Sequence, residues 1–198
     1  MKKRWRWDHN LIYNLVPVES SVLDLGCGDG ELLARMINDK QVRGQGVEAD
    51  PACVSAAITN GIPVYQGDLD LGLPEFMDQS FEYVILEKTL QAVRRPMLVM
   101  QEMLRIGRNS IVSFPNFSFE TVVGNLVLTK RMPVTPSLPY QWHDTPNIHL
   151  FTLLDFMDWI QQNGVGIVAA YAWSGGRHRP LRLPADSTRA EELLFVLS

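Results

Sequence analysis

The chain carries only two cysteines, Cys27 in a glycine-rich turn and Cys53 in a helical stretch, which speaks against a disulfide framework and fits a reducing compartment. It has no large excess of one charge. With 18 basic and 22 acidic residues the formal net charge is -4, so a general binder of nucleic-acid backbone is not expected, despite the local basic runs Lys2, Lys3, Arg4, Arg6 and Arg177, Arg179, Arg182. No apolar run approaches a membrane span, and no apolar core follows the charged opening MKKRWRWDHN as it would in a signal peptide. Internal repeats, low-complexity segments, a P-loop and a Gly-x-Ser-x-Gly elbow are missing as well. The expectation is a cytoplasmic protein with no membrane and no nucleic-acid partner.

What is present is a core. At 198 residues and 46% hydrophobic content, the chain reads as a single domain over 1–198. Residues 5 to 15 place Trp5, Leu11, Ile12 and Leu15 at helical spacing, and Pro17 ends that helix. Apolar runs at Ser21–Leu25, Val42–Glu48, Ile62–Gln66, Ser80–Leu86, Ile111–Phe114, Val165–Tyr171 and Leu193–Leu197 predict seven strands. Between them, Pro51 and Pro96 suit first helical turns, while Gly61, Gly107 and Gly164 suit helix ends. Thr152 with Asp155, flanked by Phe151 and Phe156, is the best-marked helix start. This alternation predicts an α/β fold: a Rossmann-like, mostly parallel sheet with right-handed crossovers and helices on both faces.

Residues 116–148 break the rhythm. Val122, Val123, Leu126 and Val127 can form one helix, but Pro133, Pro136, Pro139 and Pro146 make the remainder an irregular segment, read as an inserted lid or a partner-binding segment. The stretch from Trp173 to Glu191 reads as a polar, basic connection.

The chemistry concentrates at SVLDLGCGDGELL, residues 21–33. Gly26, Gly28 and Gly30 permit a tight turn and close approach of a ligand, with the Cys27 backbone beside it and its side chain packed inward. Asp29 sets negative charge where a pyrophosphate would meet the helix, which disfavours a dinucleotide. A ligand with a cationic end and no phosphate fits better, and S-adenosylmethionine is the candidate: methionyl part over Gly26 to Gly28 with Asp24 near its ammonium, ribose at Glu48, adenine at Asp68.

DLGCGDG, GVEAD, GDLD and FEYVILEKTLQAV together resemble the class I methyltransferase-like superfamily. EMLRIGRNSIVSFPNF and KRMPVTPSLPYQWHDTPNIHLFT narrow the resemblance to the methionine biosynthesis MetW family over nearly the whole length. That resemblance implies a seven-stranded sheet with an antiparallel last strand, and S-adenosylmethionine or S-adenosylhomocysteine bound at Asp24, Gly26, Gly28, Glu48, Asp68, Leu69 and Leu86 or Glu87, with Cys27, Gly30 and Ala49 in the same set. It also implies a partner, a homoserine O-acyltransferase of the MetX type, whose activity the chain promotes or regulates. The alternatives are a methyltransferase acting on a small molecule and an interaction module that binds no ligand.

Other features have plainer readings. His143, Asp144 and His149 lack a metal-ligand spacing, and His149 is read as capping or orienting the lid. Asn116 belongs to a turn stabilised by Pro115, with orientation of an acceptor as the lesser alternative. The tryptophans of KKRWRW are read as packed on the sheet among solvated charges.

Overall fold

The computed structural model describes residues 5–198, so Lys2, Lys3 and Arg4 of the basic start lie outside the described residues. Five strands, β1 (Ser21–Leu25), β2 (Arg43–Glu48), β3 (Val64–Gln66), β4 (Phe81–Glu87) and β5 (Gly107–Pro115), pair in parallel in the spatial order β3-β2-β1-β4-β5. The sheet continues through β8 (Glu192–Leu197), β6 (Ile167–Ser174) and β7 (Arg177–Pro180). β8 runs antiparallel to both β5 and β6, and β7 antiparallel to β6.

The sheet therefore has eight strands where seven are expected. The addition is the hairpin of β6 with β7, a short edge strand of sequence RHRP. It carries no alternating apolar pattern, because it is the edge of the sheet and only Arg179 among its residues is even half-buried.

Side chains alternate across the sheet and build two cores. On one face Leu23, Leu25, Val84, Leu86, Val112 and Phe114 meet α4 (Pro96–Ile106) and α6 (Leu153–Asn163) through Met100, Met103, Phe156 and Ile160. On the other, Val22, Ile85, Ile111 and Leu194 meet α1 (Trp7–Leu15), α2 (Glu31–Lys40) and α3 (Pro51–Thr59) through Ile12, Leu33, Met36 and Ala57. Burial on both faces is what makes the central strands β1, β4 and β8 read as apolar runs in sequence.

Local chemistry sets the helix ends. Pro51 and Pro96 stand in first turns, where no N–H is needed, and the Asp50 carboxylate accepts from the Ala52 N–H at 2.9 Å. Thr152 and Asp155 close a reciprocal capping box, with Asp155 N–H to Thr152 Oγ1 at 3.3 Å and Thr152 N–H to Asp155 Oδ2 at 2.8 Å.

Within 116–148, α5 (Glu120–Thr129) forms the expected helix, yet only Val122 of it is buried. Asn116 is a structural staple: its amide donates to the carbonyls of Ser187 and Ala190 and its oxygen accepts from Ser118 and Leu153. Among the described residues, no helix is long and apolar enough to cross a membrane, and no group of three or more His, Cys, Asp or Glu is placed to hold a metal.

Candidate ligand site

The direction in which strands are added reverses between β1 and β4, and the crevice at the carboxyl ends of these strands is where open α/β sheets take their ligands. Three cavities line this edge. One of about 210 Å³ lies over the glycine turn, lined by Asp24, Gly26, Cys27, Gly28, Glu87 and the start of α1. A second, of about 620 Å³, is bordered by Ala49, Gly67, Asp68 and Tyr65. The third, of about 930 Å³, adjoins the first and shares Trp5, Arg6 and Glu87 with it.

The turn needs its glycines for two reasons. Gly26 has φ +75° and a Cβ there would approach Thr89 Oγ1 to 2.8 Å; Gly28 has φ +56°, and a side chain there would project into open space at the pocket. Glu48 fixes the turn from β2, its Oε2 accepting from Gly28 N–H at 2.9 Å and its Oε1 from the N–H groups of Ala49 and Asp50 at 2.8 and 2.9 Å. Oε1 is thereby filled, while Oε2 keeps a lone pair for a ribose hydroxyl. Asp68 caps a 3-10 turn at Leu69–Leu71 through Oδ1 and stays exposed at the 620 Å³ cavity.

Asp24 is 3% exposed and receives no hydrogen bond among the described residues. Burial, with the Glu87 and Glu48 charges adding and His9 opposing, pushes its pKa up to about 7. A buried carboxyl that lacks a partner and lines a pocket is suited to a cationic group. Cys27 is the opposite case: its side chain packs beneath the turn against Gly46, and burial with the charges of Asp24 and Glu48 pushes its thiol up to about 12, so it is no nucleophile.

Not every expected position touches a cavity. Leu69 and Leu86 are buried core residues beneath the edge, and Gly30 is the left-handed N-cap of α2, packed on Ile62. Two residues that sequence reasoning passed over, Arg6 and His9, do line the 210 Å³ pocket. Their i, i+3 spacing, which puts both on one side of a helix start, was the available signal.

α1 is latched over this edge. Trp7 stacks on Trp173 at 5.1 Å and donates its indole N–H to Glu192, while Lys88 pairs with Glu192 at 2.7 Å. Farther along, an apolar groove of about 510 Å³ runs between α5 and the 132–150 segment, lined by Val123, Leu126, Met132, Trp142, Ile148 and Leu150 among others. Tyr140 and Asn147 line both the groove and the 930 Å³ cavity.

Strand order, reversal point and glycine turn define the class of the molecule: the Rossmann-like fold of S-adenosylmethionine-dependent methyltransferases. The methyltransferase bound by the Trm112 activator in Haloferax volcanii superposes with a TM-score of 0.67 at 18% identity, over 96% of this chain and 88% of that one. A TehB-like S-adenosylmethionine-dependent methyltransferase from Corynebacterium glutamicum gives 0.63 at 16% identity, over 100% and 89%. Likeness at these identities establishes the fold alone. The chain belongs to the MetW family of methionine biosynthesis: the family described as "Methionine biosynthesis protein MetW" matches residues 6–197. The bifunctional methionine biosynthesis protein MetXA/MetW of Rhodopirellula baltica is 39% identical over 175 residues, which cover 84% of this chain and 28% of that protein.

Proposed function

We propose that this chain binds S-adenosylmethionine or S-adenosylhomocysteine and serves as the accessory partner of a homoserine O-acyltransferase of the MetX type, promoting or regulating acylation without carrying it out. The observation behind the partnership is the Rhodopirellula baltica relative, whose name joins MetXA and MetW in a single chain. Covalent fusion keeps two functions at high effective concentration, which is useful when they act together. The ligand reading is supported by Asp24, which has no hydrogen-bond partner among the described residues, by Glu48 on the turn and by Asp68 at the neighbouring cavity.

The docking surface in this reading is the groove between α5 and the 132–150 segment. Trp142 is 76% exposed and Leu128 83%, and Leu126, Met132, Ile148 and Leu150 are exposed around them. An apolar patch of this kind marks an interaction surface more often than a plain solvated face. Its occupant is the acyltransferase, the only companion that the fused relative names. Co-purification of the two proteins, followed by an acylation assay with and without this chain, tests the proposal. Trp142→Ala and Leu126→Glu are expected to weaken association at least about tenfold. Failure of the two proteins to co-purify, together with full acyltransferase activity in the absence of this chain, would overturn it.

A second reading, a methyltransferase acting on a small molecule, is favoured by the 930 Å³ cavity next to the methionyl pocket, which has room for an acceptor. Methyl transfer requires mainly in-line positioning of donor and acceptor. Formation of S-adenosylhomocysteine on addition of a metabolite would support it.

A further inference from the structure

The first turn of α1 and its lead-in, Trp5 to His9, close two cavities at once. Trp5, Arg6 and His9 wall the 210 Å³ pocket, and Trp5, Arg6 and Trp7 wall the 930 Å³ cavity. Every other wall of the smaller pocket belongs to β1, the glycine turn, α2 or β4, which the sheet and its two cores hold in place. Only the α1 side can yield.

The two ends of α1 are attached by different means. Its C-terminal end is anchored in the core by Leu11, Ile12 and Val16, and Lys40 Nζ fastens it by donating to the Val16 carbonyl at 2.6 Å. The N-terminal end, of sequence WRWDH, buries no aliphatic side chain, and Trp5 and Trp7 are only half-buried. Charges and rings hold it instead. Arg6 Nη2 lies 2.7 Å from Glu87 Oε1, His9 Nε2 lies 3.0 Å from Glu87 Oε2, and Lys88 Nζ lies 3.8 Å from the buried Asp8. The Arg35 guanidinium covers the Trp5 ring at 3.8 Å, and Trp7 reaches Trp173 and Glu192 as described above. Among the described residues, no side chain caps the helix start at Arg6. A buried ion pair loses in desolvation much of what it gains in attraction, so this end closes by a small margin while the apolar end stays fixed.

From this asymmetry we infer that Trp5 to His9 form a gate, which swings on the Leu11–Val16 anchor, is latched by Glu87, Lys88 and Glu192, and opens to admit a ligand to the glycine turn. Its purpose rests on the proposed ligand; its motion does not. Lys88 and Glu192 are positioning residues here, because they line the 930 Å³ cavity but reach the 210 Å³ pocket only through α1.

Fluorine NMR of the full chain carrying 5-fluorotryptophan tests the gate, with the resonances assigned by single Trp→Phe substitutions. Lys88→Met should move the Trp7 and Trp173 signals toward a second, open position and leave that of Trp159, on α6, in place as a sign that the variant is folded. Lys88→Arg, which keeps the charge, should restore most of the closed signal. In stopped-flow fluorescence, Lys88→Met should raise both the association and the dissociation rate of S-adenosylhomocysteine by about threefold or more, because the open form is more populated. Trp7 and Trp173 signals that stay put, or that move while both rates match the wild type, would overturn the gate. A wild-type chain that binds no S-adenosylhomocysteine would remove the proposed ligand, and the fluorine spectra alone would then decide whether the turn moves.

Discussion

The backbone N–H of Gly28 donates to Glu48 Oε2 at 2.9 Å, tying the turn after β1 to the end of β2. One carboxylate thus shapes the floor of the ligand pocket and, in the proposed complex, accepts a ribose hydroxyl. Glu48→Ala should lower the affinity for S-adenosylhomocysteine by at least about tenfold in calorimetry, since hydrogen bonds to charged groups contribute about 1.5–3 kcal/mol each. Glu48→Gln, which keeps the shape and one acceptor oxygen, should lose less.

Asp24 gives a prediction with a definite sign. Its pKa stands at about 7 in the folded chain, against a usual value of 3.8. The folded state therefore holds a proton that the unfolded state has released, and stability falls as pH rises from about 4 to about 7. Asp24→Asn should remove this penalty, with a gain on the order of 3 kcal/mol at pH 8 and almost none at pH 4, measured by denaturant unfolding across pH. The same variant should bind the ligand poorly. In the wild-type chain a cationic ammonium binds the ionised carboxyl, so affinity should rise with pH through about 7, and Asp24→Asn should flatten that rise.

Thr152→Ala removes one side of the capping box on α6 and should cost about 1 kcal/mol of stability. Thr152 lines none of the four cavities described, so ligand affinity should be unchanged; a loss of affinity would mean that α6 bears on the site.

If the chain regulates its partner, ligand and acyltransferase must affect each other's binding equally. S-adenosylhomocysteine affinity measured with and without saturating acyltransferase should differ by about fivefold or more. Equal affinities would remove regulation by this ligand and leave association alone. The cavities suggest a route for such coupling, with Arg6 and Glu87 shared between the first pair and Tyr140 and Asn147 between the second.

Much of this fold is legible in the sequence because its elements announce themselves locally. Pro51, Pro96, Gly164 and the Thr152–Asp155 pair mark helix ends through interactions a few residues long, and β1, β4 and β8 are apolar on both faces. The edge strand β7 and the four-residue helix α7 (Asp186–Arg189) escape for the opposite reason. RHRP is polar and exposed, and Asp186 is held by Arg179 at 2.6 Å, a pairing that exists only once the chain has turned back. The same applies to the site. Asp24, Glu48 and Asp68 follow strands and can be read in order, whereas Arg6 and His9 meet Glu87 only when α1 has docked some eighty positions away along the chain. The α5 face was visible as an apolar stripe, but no pattern in the sequence says that it stays uncovered.

β8 comes last among the strands in chain order, yet it lies between β5 and β6 and all six of its residues are buried. During synthesis, therefore, β5 and β6 each wait with an open edge until β8 has emerged. Glu192, which anchors Trp7 and Lys88 beneath the ligand edge, arrives with that same strand. Sheet closure and completion of the latch on α1 are one late event, and a nascent chain stalled before Glu192 would expose two adhesive strand edges.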